Sequence, residues 1–162
     1  MRSTRIPGDG VTLAVHDFGG SGDVLLVAHA TGFHGPVYRA FANQLTDLVR
    51  VVAFDFRAHG DSTAPNTTEE FSWEHMAGDV ATVLDWLDAP VVHGFGHSMG
   101  GAALLGAERV APGSLASAFL FEPIVTPPGG FGPGESDLVI RARMRRPTFP
   151  SRALALDHYA GR

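Results

Sequence analysis

The chain has no cysteine and no lysine. Without cysteine it cannot build a disulfide scaffold, a thiolate-ligated zinc site or a thiol nucleophile. Without lysine, all twelve basic side chains are arginine. No apolar run reaches the roughly 18 residues that a membrane-spanning helix needs. The opening MRSTRIPGDG lacks the apolar stretch of a secretory leader. The expectation is a cytoplasmic protein with no membrane partner. Of the eight histidines none stands in H-x-H or H-E-x-x-H spacing, so no metal site is expected and no cofactor is implied.

Positive charge is scarce in the body of the chain. Residues 1–140 hold six arginines against sixteen acidic side chains, whereas residues 141–162 hold the other six against Asp157 alone. An acidic body does not suit nucleic acid, whose phosphates need a positive footprint. The run RARMRR reads as a solvated helix face with arginine stems lying over apolar neighbours.

What is present is enough apolar side chain for a packed core. The chain has 162 residues, 44% hydrophobic and 18% charged, which suits one domain. Strand and helix signals alternate. Residues 11–18 read as a half-buried strand. The continuous apolar runs at 24–29, 49–56 and 90–97 read as strands covered on both faces, and 115–121 as a fourth apolar strand. Between them, 38–48, 72–87 and 99–110 carry helical periodicity. Phe41, Leu45 and Leu48 share one face of the first of these helices. Ser72 can cap the second, in which Met76, Val80, Val83, Leu84 and Leu87 share a face. This alternation predicts an α/β fold, a mostly parallel, doubly wound sheet with helices on both faces. The core is expected over 1–125. Residues 126–134 (TPPGGFGPG) read as a breaker-rich linker, followed by short helical stretches at 136–144 and 151–159.

One motif carries chemistry. Gly96-His97-Ser98-Met99-Gly100 has the form G-x-S-x-G, with an apolar strand before it and a helix after it. A serine at such a bend is forced into a sparsely populated backbone conformation. Its neighbours must be nearly free of side chain because strand and helix come too close for a Cβ. Gly96 and Gly100 meet that need. The bend would project the Ser98 hydroxyl beyond the carboxyl end of the sheet, where open α/β folds bind ligands. The Met99 N–H at the helix start would face an oxyanion. Gly94-Phe95-Gly96 faintly suggests a dinucleotide loop, but the glycine spacing is wrong for one.

GHSMGG at 96–101 resembles the nucleophile elbow of the α/β-hydrolase fold superfamily. His29-Ala-Thr-Gly32-Phe-His-Gly is similar to the segment whose backbone supplies the family's other oxyanion donor. Two residues separate His29 from Gly32, so the donor is the N–H of Phe33 or that of Thr31, and Phe33 is taken with Met99 as the expected oxyanion pair. Asp55-Phe-Arg57-Ala-His59-Gly-Asp-Ser62 resembles the family's D-x-R-G-H-G-x-S loop, with Ala58 in place of the first glycine. The resemblance implies structural roles for His29, Asp55, Arg57 and His59. It covers roughly residues 10–123. Relatives that open epoxides or displace halide carry Asp at the elbow. Ser98 argues instead for attack on an acyl carbonyl, with a small-molecule ester, thioester or related substrate.

A serine hydroxyl needs a general base, and the base needs an orienting acid. In the family the order is Ser, acid, His. Here the only later histidine is His158, in what looks like the start of a helical lid. Glu122, at the end of the last strand, is the better-placed acid. The expectation is therefore a truncated serine hydrolase of low or no activity alone. The alternative is an inactive remnant or interaction module needing a partner chain. The strand at 115–121 would be an open apolar edge, inviting self-association. His16, His34 and His75 read as surface or loop residues, and His93 as a hydrogen-bonded core residue.

Overall fold

Continuous apolar runs such as VLLVA can lose both faces to packing only if the strand lies inside a sheet flanked by helices. The computed structural model, which describes residues 1–125 and 137–160, builds that arrangement. Its strands are β1 (Arg2–Pro7), β2 (Thr12–Gly19), β3 (Val24–Ala28), β4 (Arg50–Asp55), β5 (Val92–His97) and β6 (Ser117–Phe121). They form one sheet in the order β1-β2-β4-β3-β5-β6. The pairs β3–β4, β3–β5 and β5–β6 are parallel, while β1–β2 and β2–β4 are antiparallel. The helices are α1 (Arg39–Asn43), α2 (Trp73–Leu87), α3 (Met99–Val110), α4 (Asp137–Arg143) and α5 (Arg152–Ala160).

The strand order determines where a site can form. From β3 the chain moves to β4 on one side, then crosses back to β5 on the other. At such a switch point the two crossovers leave in opposite directions and open a crevice beyond the strands' carboxyl ends. The residues there are His29, after β3, and Ser98, after β5.

Two apolar clusters cover the two faces. One joins Leu13, Val15, Leu26, Phe54 and Phe56 to Met76, Val80, Val83 and Leu87 of α2 and to Ala103, Leu104 and Ala107 of α3. The other joins Phe18, Val27, Val51 and Ala53 to Tyr38 and to Ala42 of α1. In α2 the expected periodicity and cap both appear. The Ser72 side chain accepts the His75 N–H at 3.4 Å, and Asp88, at φ 44°, ends the helix in the left-handed region.

The structure departs from the sequence expectations in several places. Residues 2–7 form β1, an unexpected edge strand that pairs with β2 from Arg2↔Asp17 to Pro7↔Thr12. Its exposed, polar sequence carries no apolar alternation to announce it, because an edge strand is held mainly by its ladder. The helix expected over 38–48 is a 3-10 turn at Gly35–Tyr38 followed by the short α1. Tyr38 and Ala42 are its buried residues, while Phe41 and Leu48 are exposed. His16 is buried rather than superficial, and His93 is partly exposed rather than in the core. The His93 ring reaches the edge strand, with Nδ1 2.8 Å from Ser117 Oγ.

The chain divides into two compact units, Met1–Val125 and Thr126–Arg162. The linker expected at 126–134 lies outside the described residues. Helices α4 and α5 fall within the stretches expected to be helical, give or take a residue. Among the described residues no helix is long and apolar enough to cross a membrane.

Candidate active site

Ser98 has φ 52° and ψ −112°, outside the regions that L-residues ordinarily occupy. Such a backbone costs on the order of 1–3 kcal/mol and persists only where its surroundings over-determine it. Here the surroundings do so. The Ser98 N–H donates to the Phe121 carbonyl at 2.9 Å, and the Ser98 carbonyl accepts from Gly101, Ala102 and Ile124. A Cβ on Gly96 would lie 2.5 Å from Gly101 Cα, and one on Gly100 would overlap the Ala28 carbonyl. These contacts press the start of α3 against the end of β3. The elbow and the His29 loop therefore abut.

The Met99 N–H, in the first turn of α3, has no acceptor among the described residues. The His29 loop offers a second such donor. Phe33 is ruled out, because its N–H closes a turn onto the Ala30 carbonyl at 3.0 Å. The Thr31 N–H has no acceptor among the described residues, so Thr31 replaces Phe33 as the available amide. Gly32, between them, takes φ 77° to make the turn.

Buried polar groups hold the loop. His29 is fully buried. Its Nδ1–H donates to the Ala30 carbonyl at 2.8 Å, and its Nε2 accepts the Phe56 N–H at 3.0 Å. Burial pushes its pKa down to about 4, against a smaller upward pull from the Ala30 carbonyl. The ring is thus neutral near pH 7, as an acceptor at Nε2 requires. Asp55 Oδ1 accepts the Gly35 N–H at 2.7 Å and Oδ2 the Asp61 N–H at 2.8 Å. Burial pushes the Asp55 carboxyl up, but His16 and these two amides outweigh it and hold the pKa below its usual value. Arg57 is fully buried and bidentate to Asp79, at 3.0 and 2.7 Å, with a further bond to the Glu70 carbonyl. His59 donates from Nδ1 to the Arg57 carbonyl at 2.9 Å. Ala58 takes φ 59°, which is why a glycine suits its place in the loop.

A further link joins elbow and loop. The Ala30 N–H donates to the Tyr38 hydroxyl at 3.3 Å, and that hydroxyl shares a hydrogen bond with His97 Nδ1 at 2.8 Å. Burial raises the Tyr38 pKa, which keeps the phenol protonated and able to donate. The local sequence gives neither Tyr38 nor His97 a role. The only available signal was a polar residue at each of two neighbouring strand and helix ends.

The two groups considered as acid and base, Glu122 and His158, lie on different elements. The Ser98 hydroxyl has no hydrogen-bond partner among the described residues. Glu122 follows β6 directly at φ 46°, with its side chain exposed. The backbone around it wraps the elbow through Phe121 and Ile124. His158 lies in α5, in the other unit. Among the described residues no cluster of three metal-ligating side chains occurs.

Compared with known proteins, residues 24–162 match the alpha/beta hydrolase family. The pimeloyl-[acyl-carrier protein] methyl ester esterase of Methylococcus capsulatus is 36% identical over 98 residues, covering 60% of this chain and 36% of that protein. Protein phosphatase methylesterase 1 of Rattus norvegicus is 38% identical over 96 residues, covering 56% of this chain and 25% of that protein. Among solved structures, an esterase from Exiguobacterium antarcticum superposes with a TM-score of 0.72 at 26% identity, over 87% of this chain and 54% of that one. The epoxide hydrolase VrEH1 from Vigna radiata gives 0.69 at 22% identity, over 74% and 37%, and shows the fold alone. The chain thus spans about a quarter to a third of these two curated relatives and about half or less of the two structures. The strand order, the bend at Ser98 and the match over residues 24–162 agree, and the chain belongs to the alpha/beta hydrolase family.

Proposed function

We propose that Ser98 is the nucleophile of a serine hydrolase acting on a small carboxylic ester or thioester. The observation that carries this reading is the strained backbone of Ser98, held between glycines that no side chain could replace. Ser98 Oγ attacks the acyl carbonyl, and the oxygen takes up negative charge. The Met99 and Thr31 amides donate to it, supplied by the rigid helix start and by the loop anchored through His29 and Asp55. The hydroxyl proton must leave to a base, and the alcohol or thiol leaves from the collapsing intermediate. We read helices α4 and α5 as the beginning of a helical lid. Esterase relatives support the ester class, each named for removing a methyl ester or as an esterase.

A second reading follows from the Ser98 hydroxyl, which has no hydrogen-bond partner among the described residues. Without a base the chain is an inactive module that works only with a partner chain. A fluorophosphonate probe separates the two. Ser98 reactivity predicts covalent labelling of the full chain that disappears in Ser98→Ala. No labelling of the folded wild-type chain at high probe concentration sinks the nucleophile reading and leaves the module.

A further inference from the structure

His16 belongs to none of the motifs above, yet it is 1% exposed and sits in β2 beside the loop that carries Thr31. Its Nδ1 is 2.9 Å from Ser3 Oγ, and its Nε2 is 3.1 Å from Asp55 Oδ2. The Ser3 hydroxyl rotates freely and can donate to Nδ1, which leaves the ring proton on Nε2, facing the carboxylate. The Nε2–H lies off the axis of a good hydrogen bond to that oxygen, so the contact is a close polar one rather than a well-aligned bond. The ring also touches the loop directly. A Cβ on Gly35 would lie 2.8 Å from His16 Cδ2, 3.1 Å from Ala53 Cβ and 3.3 Å from Asp55 Oδ1. The Gly35 backbone therefore rests on the imidazole while its N–H donates to Asp55 Oδ1 at 2.7 Å.

These contacts make a continuous path. Ser3 on the edge strand selects the His16 tautomer. His16 supports Gly35 by contact and sets its Nε2 3.1 Å from Asp55 Oδ2. Asp55 holds the end of the loop whose other end, at His29, abuts the elbow. We propose that His16 is a positioning residue for residues 30–35, setting where the Thr31 amide stands relative to Ser98. The chemical consequence rests on the Ser98 reading, but the effect on the loop does not.

The test uses the full chain and three variants, with two readouts. His16→Leu keeps an apolar side chain but loses the donor, His16→Gln restores an N–H near the Nε2 position, and Val83→Ala loosens the core under α2. The first readout is amide exchange at Gly35 relative to Val52 in β4. The second is the rate of fluorophosphonate labelling at Ser98. His16→Leu is expected to speed relative Gly35 exchange at least tenfold and slow labelling about tenfold. His16→Gln is expected to recover most of both. Val83→Ala is expected to lower the Tm while leaving both near wild type.

Wild-type Gly35 exchange in His16→Leu overturns the proposal. So does failure of Gln to recover it, because the ring is then only a filler. If His16→Leu does not fold, Ser3→Ala removes the hydroxyl that selects the tautomer at an exposed site. Side-chain 15N spectra then report a loss of the Nε2–H form and faster Gly35 exchange, and wild-type values for both overturn the proposal. If Gly35 responds as expected but wild-type Ser98 does not label, the nucleophile reading fails and the loop role of His16 stands.

Discussion

Ser98 lies between two unlike regions of one sheet. On one side, β2, β4 and β3 carry a buried polar network in which Arg57, Asp79, Asp55 and His29 are each 0–1% exposed and each bonded. On the other, β6 holds the elbow through backbone bonds and through the Phe121 ring, centred 5.0 Å from the His97 ring, and its aromatic side chains stay largely exposed. Phe119 is 65% exposed and Phe121 47%. The Phe119 ring stacks on Phe95 at 5.9 Å, with only 7° between the planes. The two sheet edges differ in the same sense. β1 carries Arg2, Arg5 and Pro7, which discourage another strand from pairing, whereas β6 reads SAFLF without a charge or proline. The difference separates two jobs. The buried polar side sets geometry, because a charge taken out of water has one acceptable arrangement. The aromatic side supplies apolar surface that tolerates change.

The largest effect is expected where that contrast is broken on the polar side. Asp79→Ala strands the buried Arg57 guanidinium, a change that costs about 3–5 kcal/mol. Denaturant unfolding is expected to show a collapse of the midpoint or no folded state. A midpoint near wild type would mean that water reaches Arg57 and that this side is not sealed.

A somewhat smaller effect comes from pH. His29 binds its proton in the folded chain only at about pH 4, whereas in the unfolded chain it does so near pH 6.5. Its contribution is therefore complete above pH 6.5 and is lost as pH falls from there through 4. The size over that window is about 3 kcal/mol. The pH slope of stability in wild type, set against that of His29→Gln, measures it. Equal slopes would show that His29 is not the titrating group.

The smallest effect is expected on the aromatic side. Phe119→Lys removes a mostly exposed ring, so stability should change by less than about 1 kcal/mol. The same substitution places a charge on an unguarded edge and should raise the concentration at which the chain self-associates. Light scattering against concentration checks it. A large loss of stability would mean that Phe119 is part of the core after all.

Much of this architecture was legible in the residues. The apolar runs at β3 and β4 were long and uninterrupted, so their burial on both faces followed, whereas β5, VHGFGH, is buried on one face and only partly covered on the other. The G-x-S-x-G bend was legible because the strand before it, the helix after it and two glycines all point to one geometry. What the residues did not disclose depends on partners distant in the chain. β1 has no apolar alternation, since it is held by its ladder with β2. His16 looked superficial because nothing local shows that Gly35, nineteen positions later, rests on its ring. The choice between the Phe33 and Thr31 amides turned on a single hydrogen bond inside the loop.

By itself the sequence determined that the chain alternates strand and helix, that it must bend sharply at Ser98, and that no thiol takes part. These follow from short-range sterics and hydrophobic period, which each segment carries alone. The tertiary structure decided which loop lies against the elbow, which amides remain unbonded and that His29 is kept neutral. Those outcomes depend on desolvation and on distances across the sheet, quantities that exist only once the strands are side by side.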